Sequence, residues 1–160
     1  MSVDGVHFKI QEPRTNPDAR WFSHKFNGPG LAYELALSIH DHKLVWMNGP
    51  FPASRHDIGI FRERLETMIP DGKLVIADAG YRGSDKVAIS QEGDNDVLTQ
   101  LKNRAKARQE SFNGRLKRFK ILSERFKYNH SKHGVVVEAL CVLTQYDIEN
   151  GRPLMNVFIR

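Results

Sequence analysis

The sequence predicts an α/β domain built on a mixed sheet of five strands with helices on both faces. Three observations support this prediction. Short runs of β-branched and aromatic residues fill much of the first two thirds of the chain, apolar residues recur at helical spacing in the last third, and one helical pattern separates the third strand from the fourth. With 160 residues, of which 40% are apolar, the chain is long enough for one domain with a substantial core.

Five segments have the pattern of strands. Apolar residues alternate along 2–10, which predicts the first strand. Residues 31–39 and 44–47 are predicted to form the next two strands, and the polar turn "HDHK" between them predicts an antiparallel hairpin. The apolar run in 73–77 predicts a buried fourth strand, and a short fifth strand is expected near 96–99.

Three segments have the pattern of helices. Apolar residues recur at helical spacing in 58–68, and Ser54 or Asp57 is expected to cap that helix. The pattern is helical again from 103 to 126, where Phe112, Leu116 and Phe119 form an apolar stripe. A last helix is predicted over 135–149, and Asn150 and Gly151 are expected to end it.

Composition excludes several classes of protein. No apolar run approaches the ~20 residues that a membrane helix needs, and the first ten residues lack the basic flank and apolar stretch of a secretory signal. Cys141 is the only cysteine, so an internal disulfide is excluded and a reducing compartment is favoured. Its apolar neighbours predict that Cys141 is a core residue and not a nucleophile.

Positive charge is concentrated in one segment. Residues 102–127 contain ten Lys or Arg and two acidic residues, a net charge of +8, whereas the whole chain carries only +5. This pattern is typical of a surface that binds a phosphate backbone, but a solvated helix face accounts for it equally well. Phosphate contacts are expected at Lys25, Arg82, Lys102, Arg104 and Lys117.

Three acidic residues stand where they could converge. Asp78 ends the fourth strand and is followed by a glycine turn, Asp4 lies in the first strand, and Glu110 lies on the basic helix opposite its apolar stripe. Clusters of carboxylates hold Mg²⁺ or Mn²⁺. Two such ions can activate a water and stabilise the leaving oxygen in phosphodiester cleavage. The three acids therefore predict a two-metal site for phosphodiester cleavage.

Each acid also has a simpler interpretation. Asp78 could cap a turn, Glu110 could be one of many solvated helix acids, and Asp57 is interpreted as a helix cap. His130 and His133 lack a third ligand nearby in the sequence, so a zinc site there is not predicted.

Four segments together resemble the catalytic domain of Harbinger-type (PIF/Harbinger) DDE transposases and the Harbinger-derived nuclease. "SVDGVHFKI" is similar to the first-aspartate strand of that family and points to Asp4. "IADAGYRG" resembles its second-aspartate motif and points to Asp78, and "RQESFNGRLKRFKIL" resembles its glutamate helix, with Glu110 placed 32 positions after Asp78. "CVLTQYDIENGRPL" resembles its closing helix, and the segment containing His56 and Asp57 also matches a family motif.

The resemblance implies an RNase H-like fold and metal-dependent DNA strand cleavage with strand transfer. It implies that Asp4, Asp78 and Glu110 are catalytic and bind two Mg²⁺ or Mn²⁺ ions. It also implies DNA as substrate, a nuclear location and a homo-oligomer. Such transposases usually carry a helix-turn-helix region before the first strand, whereas Asp4 lies three residues from Met1. We therefore expect 1–160 to be a single catalytic domain without that region, with a separate DNA-binding protein recognising the DNA ends.

Two further functions fit the same residues. A truncated or domesticated relative would keep the fold and the basic helix as a nucleic-acid-binding module without catalysis. An RNase H-like nuclease acting on RNA would use the same three acids.

Overall fold

The computed structural model describes residues 1–91 and 93–158. Six strands are found within those residues: β1 (Ser2–Lys9), β2 (Phe22–Ser23), β3 (Gly28–Leu37), β4 (Leu44–Pro52), β5 (Val75–Ile76) and β6 (Val87–Ala88). The α-helices there are α1 (Asp57–Glu63), α2 (Leu65–Met68), α3 (Asp96–Leu116), α4 (Lys120–Ser123) and α5 (His133–Glu149). Short 3-10 helices cover Ala19–Trp21, Ala79–Tyr81 and His130–Lys132.

The strands form one mixed sheet in the order β2-β3-β1-β5-β6, with β4 also paired to β3. β3 runs antiparallel to β1, β2 and β4, whereas β5 is parallel to both β1 and β6. The mixed α/β sheet is therefore confirmed. It has six strands and not five, because the two-residue strand β2 adds to the edge formed by Gly28 and Pro29.

Both faces of the sheet are covered, as predicted. On one face, alternate residues of β1 and β3 pack with α3, α4 and α5 around Phe112, Leu116 and Cys141. On the other face, Val3 and Ala36 pack against α1, α2 and the residues that flank β5. Because side chains alternate along a strand, successive residues of β1 face α3 and α1 in turn.

Two predicted elements were wrong in type or extent. Residues 96–99 are the first turn of α3 and not a strand, because the Asn95 side chain accepts a hydrogen bond of 2.8 Å from the Leu98 amide and caps the helix. The fifth predicted strand is instead β6. The long helix predicted over 103–126 ends at Leu116, and α4 follows after a break at 117–119.

The other predicted elements were correct in type, with shifted ends, except that the helix predicted over 58–68 is divided at Arg64 into α1 and α2. The first strand, the hairpin and the last helix occur where they were predicted, but β4 continues to Pro52 and α5 starts at His133. The fourth strand is reduced to Val75 and Ile76, and Leu74, which was expected to be buried, is 58% exposed. Cys141 is buried, as expected.

Candidate active site

The candidate active site is the crevice where β1 and β5 separate. The two strands pair only at Ser2 and Ile76. Two residues further along each strand lie Asp4 and Asp78, so the two carboxylates flank the point at which the ladder ends. A crevice at the carboxyl ends of neighbouring strands is a common place for a binding site in α/β sheets.

Helix α3 closes one side of this crevice. The Gln109 side chain donates to a β3 carbonyl at 3.2 Å and accepts a hydrogen bond of 3.0 Å from Ser2. One turn later, Asn113 donates to Asp4 Oδ2 at 2.7 Å. These buried bonds fix the rotation of the helix, so Glu110, which follows Gln109 directly, reaches the crevice.

Asp4, Asp78 and Glu110 line one cavity of about 70 Å³. The remaining lining residues are Ser2, Val3, Ile76, Lys106 and Gln109. The cavity is therefore formed by β1, β5 with the residue that lies two positions after it, and α3. Asp4 lies in β1, Asp78 follows β5 and Glu110 lies in α3.

A fourth carboxylate, that of Asp57, approaches from the opposite side of the sheet. It lies so close to Gly5 that a Cβ atom added to the glycine would be 2.1 Å from Asp57 Oδ1. A Cβ on Gly80 would be 3.2 Å from Asp57 Oδ2 and 3.0 Å from Asp78 Oδ1. Both glycines therefore leave room for carboxylates.

This position corrects the interpretation of Asp57 as a helix cap. His56 occupies the N-cap of α1, and its side chain makes no capping hydrogen bond. Asp57 is the first residue of the helix, and its carboxylate faces the site. Ser54, the other predicted cap, precedes the N-cap by two positions.

Lys25 supplies positive charge to these acids. Its ammonium donates a hydrogen bond to the Gly5 carbonyl and lies 3.8 Å from Asp57 Oδ2. The carbonyl is available because β1 has no β5 partner beyond Ser2. Lys25 therefore binds the open edge of β1 at the crevice.

Burial and mutual repulsion raise the pKa values of Asp4 and Asp57. Burial raises the pKa of Asp4 to about 6, the charges of Asp78 and Asp57 add to that rise, and Lys25 opposes it. Burial and the Asp78 charge also raise the pKa of Asp57, again against Lys25. The site therefore concentrates negative charge beyond what Lys25 neutralises, and such a site favours a further cation.

A buried acid beneath Asp57 belongs to the same group of carboxyls. Glu34 is opposite Gly5 in the β1–β3 register and is 1% exposed. Burial raises the pKa of Glu34 to about 7. The hydrogen bond from Trp46 Nε1 to Glu34 Oε1 opposes this rise, and the negative charge of Asp57 adds to it. The second Glu34 oxygen and the Tyr81 hydroxyl have no hydrogen-bond partner among the described residues.

Asp78 has a structural role as well. Its Oδ1 atom accepts a hydrogen bond of 2.8 Å from the Gly80 amide and so caps the 3-10 helix Ala79–Tyr81. The interpretation of Asp78 as a turn cap is therefore confirmed. The same carboxylate still lines the cavity, and the cap fixes its direction.

The residues present fit a hard divalent cation by donor type, since all the acidic groups offer oxygen. Within 1–91 and 93–158, however, no three acidic, histidine or cysteine side chains lie close enough together to hold an ion as they stand. Glu110 is exposed and has no hydrogen-bond partner among these residues, so its side chain is free to change rotamer.

A family model described as DDE superfamily endonuclease matches residues 3–145, which include Asp4, Asp78 and Glu110 and every other residue of the cavity lining except Ser2. The chain belongs to this DDE endonuclease family. No curated protein and no solved structure matches the chain significantly. Membership supports a nuclease or transposase-like function and does not distinguish the Harbinger type from other members.

The lysines and arginines predicted to contact DNA differ in their surroundings in this member of the DDE endonuclease family. Lys25 and Lys117 lie beside the site, and the Lys117 side chain is within electrostatic reach of Asp4. Arg82 is exposed just after the 3-10 helix that Asp78 caps.

Lys102 and Arg104 are used by the fold. Lys102 is 5% exposed, and its ammonium binds the Ile89 carbonyl at 2.7 Å and Asp94 at 2.9 Å. The Arg104 guanidinium binds the carbonyl of Asn156 at 2.7 Å. Both side chains hold neighbouring segments against α3. Lys102 is also buried, whereas Arg104 is half-buried, so a phosphate contact of Arg104 stays a prediction.

Sequence reasoning missed two residues that position the site. Asn113 lies three residues after Glu110, on the same helix face, and that spacing could have indicated a partner for a strand carboxylate. Asp57 was seen, but an aspartate at a helix start has a common local explanation. Its contact with Gly5 connects distant parts of the chain.

No helix in the described parts of the chain is long and apolar enough to cross a membrane.

Proposed function

We propose that this chain is the catalytic domain of a divalent-metal-dependent DNA endonuclease of the transposase type, with Asp4, Asp78 and Glu110 as its catalytic acids. One observation carries the proposal. In a member of the DDE endonuclease family, these three acids line a single cavity at the point where two parallel strands separate.

The sheet supports the finer proposal of an RNase H-like fold. The strand order β4-β3-β1-β5-β6, in which β3 alone runs against the other four, is the arrangement expected of such a sheet. Asp4 then occupies the central strand and Asp78 the end of its parallel neighbour, where the two carboxylates face each other across the crevice.

The residues at this site would have three different roles: metal binding, positioning of a carboxylate and binding of a phosphate. Asp4, Asp78 and Glu110 would hold two Mg²⁺ or Mn²⁺ ions, whose chemistry when bound is to activate an attacking water or hydroxyl and to stabilise the leaving oxygen. Asn113 fixes one oxygen of Asp4 by its hydrogen bond and leaves the other available. Lys25 places a cation beside the same carboxylates, where it can also bind a phosphate oxygen of the substrate.

Metal binding is tested by thermal unfolding with and without Mn²⁺. An ion at about 100 times its Kd stabilises the folded state by ~2.7 kcal/mol, which raises the Tm of a domain of this size by roughly 5–10 °C. We expect this rise in the wild-type chain and its loss in Asp78→Asn. Asp85→Asn is the matched control, because Asp85 is exposed and does not line the cavity.

Cleavage is tested on a labelled DNA duplex and on an RNA–DNA hybrid in the presence of Mn²⁺. We expect cleavage of the duplex by the wild-type chain and by Asp85→Asn, and none by Asp78→Asn or Glu110→Gln. Preferential cleavage of the hybrid would replace DNA by RNA as the substrate. Equal activity in all four proteins would contradict the assignment of the acids.

A non-catalytic nucleic-acid-binding module is the second candidate. It is favoured by the absence, within the described residues, of three acids already at coordinating distance. No Mn²⁺ response and no cleavage, together with salt-sensitive DNA binding, would establish it. The homo-oligomer, the separate DNA-binding protein and the nuclear location remain predictions from the resemblance to Harbinger-type transposases.

A further inference from the structure

The ten lysines and arginines of 102–127 fall into two groups according to what their side chains contact. The first five bind other parts of the fold through main-chain carbonyls, Ser90 or aspartates; these are Lys102, Arg104, Lys106, Arg108 and Arg115. Their charges are therefore engaged within the fold.

The second group is free of such contacts. It consists of Lys117, Arg118, Lys120, Arg125 and Lys127, which we call the basic strip. All five residues are exposed, and none of their side chains has a hydrogen bond or ion pair among the described residues. A single acid, Glu124, lies within this segment. The strip therefore carries a dense positive charge that the fold does not use.

The basic strip follows the open edge of β1. At its start, Lys117 is the C-cap of α3, one turn after Asn113, whose side chain donates to Asp4 Oδ2 at 2.7 Å. At its end, the Phe126 amide donates to the Lys9 carbonyl at 2.9 Å, and the Phe126 carbonyl accepts from Gln11 at 2.8 Å. The segment therefore runs from the catalytic crevice to the far end of the strand, about 20 Å at ~3.3 Å per residue.

One further cation, Arg14, lies beyond the strip, with the acid Glu12 nearby. A surface depression of about 570 Å³ joins residues 11–14 to residues 127–130, and Arg14 and Lys127 lie on its two sides. Arg14 is exposed and has no side-chain partner among the described residues.

We infer that the basic strip binds the sugar–phosphate backbone of the DNA duplex that leads away from the catalytic crevice. A duplex strand has one phosphate per ~3.4 Å of axis, so about 20 Å of strip spans roughly six phosphates. The segment that spans this distance carries five free cations, and it starts one turn after Asn113, which binds the proposed catalytic acid Asp4. The identification of the bound polyanion as DNA rests on the proposed function. The phosphate contacts are assigned to residues 117–127 and not to the whole basic segment 102–127.

The test is binding of a fluorescein-labelled 20-base-pair DNA duplex, measured by fluorescence anisotropy in EDTA between 50 and 200 mM NaCl. The strip variant is Lys120→Gln/Arg125→Gln/Lys127→Gln. Its matched control is Lys43→Gln/Arg64→Gln/Lys73→Gln, which removes the same number of charges from exposed residues outside the strip. Circular dichroism confirms that both variants fold.

We expect the slope of log K against log [salt] to become shallower by about 2–3 in the strip variant, at ~0.9 for each phosphate that the variant no longer neutralises, with binding weakened roughly 10- to 100-fold at 100 mM salt. The control should bind like the wild-type chain. The single variant Lys120→Gln should make the slope shallower by about 1. If the triple variant does not fold, this single variant is used for the test instead.

Two results would overturn the inference: wild-type binding by the strip variant, or equally weakened binding by the control, which would show that only net charge matters. Because EDTA removes metal from the assay, this result is independent of the catalytic acids. If Mn²⁺ has no effect on stability but the strip variant loses DNA binding, the nuclease proposal is rejected and the DNA-binding surface is retained. If Mn²⁺ stabilises the chain but the strip variant binds DNA like the wild type, the nuclease proposal is retained and the DNA-binding surface is rejected.

Discussion

Replacing Gly5 by alanine tests whether Asp57 is packed against β1 as the structure shows. The new Cβ would lie 2.1 Å from Asp57 Oδ1 and 2.6 Å from its Cγ, whereas ordinary contacts begin at 3.4 Å. The carboxylate must therefore move by about 1.3 Å, away from Gly5 and from its place near Lys25. Overpacking of this kind costs about 1–3 kcal/mol, so we expect the Tm to fall by roughly 2–12 °C.

A double-mutant cycle separates this clash from other effects of the substitution. The three atoms nearest to the new Cβ all belong to the Asp57 carboxylate. Asp57→Ala removes them, so Gly5→Ala should cost almost nothing in that background. The expected coupling energy in urea unfolding is about 1–3 kcal/mol. Backbone strain is not a competing cause, because Gly5 does not adopt a positive φ.

Equal destabilisation by Gly5→Ala with and without Asp57 would refute the predicted clash. A Gly5→Ala variant that unfolds like the wild-type chain would also refute it, because Asp57 would then lie elsewhere. In that case Gly5 would not be needed to make room for a carboxylate, and Asp57 would again be interpreted as an ordinary residue at the start of a helix.

Three further predictions concern stability. Gly114→Ala should raise the Tm by about 2–4 °C, because Gly114 is exposed in α3, a Cβ there meets nothing within 4 Å, and alanine in a helix is favoured over glycine by roughly 1 kcal/mol; an unchanged or lower Tm would contradict this. Burial lowers the pKa of His133 to about 4, so the unfolded chain takes up a proton near pH 6.5 while the folded chain does not. Stability should therefore fall by up to about 2 kcal/mol from His133 alone as the pH drops from 6.5 to 5, and urea unfolding should show a smaller fall in His133→Gln. Lys102→Met should lower the Tm, because the Lys102 ammonium joins the Ile89 carbonyl and Asp94 to α3. The salt dependence of DNA binding should be unchanged in this variant. A shallower salt dependence would show that Lys102 contacts DNA.

The parts of the fold that could be predicted from sequence are those whose signal is local. Alternation in β1 and the apolar spacing of α5 each report on one element facing one core, and both were found where they were expected. The start of α3 was not, because Val97 and Leu98 resemble strand residues but are exposed at 77% and 40%. The Asn95 cap decides that segment, and its signal is a single side chain.

The candidate site was predictable to the extent that its acids follow strands. Asp4 and Asp78 each stand near the end of strand pairing, and the register between Ser2 and Ile76 brings them together. Asp57 could not be assigned in the same way, because its role depends on a glycine that lies on another strand and leaves space for a carboxylate. Space left by a missing side chain is a tertiary property.

The basic segment shows where more could have been read from the sequence. Lys102, Arg104, Lys106 and Arg108 recur every second residue within one helix. A step of two residues turns about 200° around a helix axis, so successive members point to nearly opposite sides. One phosphate backbone cannot contact all four, and at least two must face the protein. In the structure, Lys102 and Arg108 are the two buried members, 5% and 1% exposed, and they lie about 240° apart around the axis, so α3 is enclosed on more than one side. Free positive charge therefore begins only at Lys117, beyond the end of the helix.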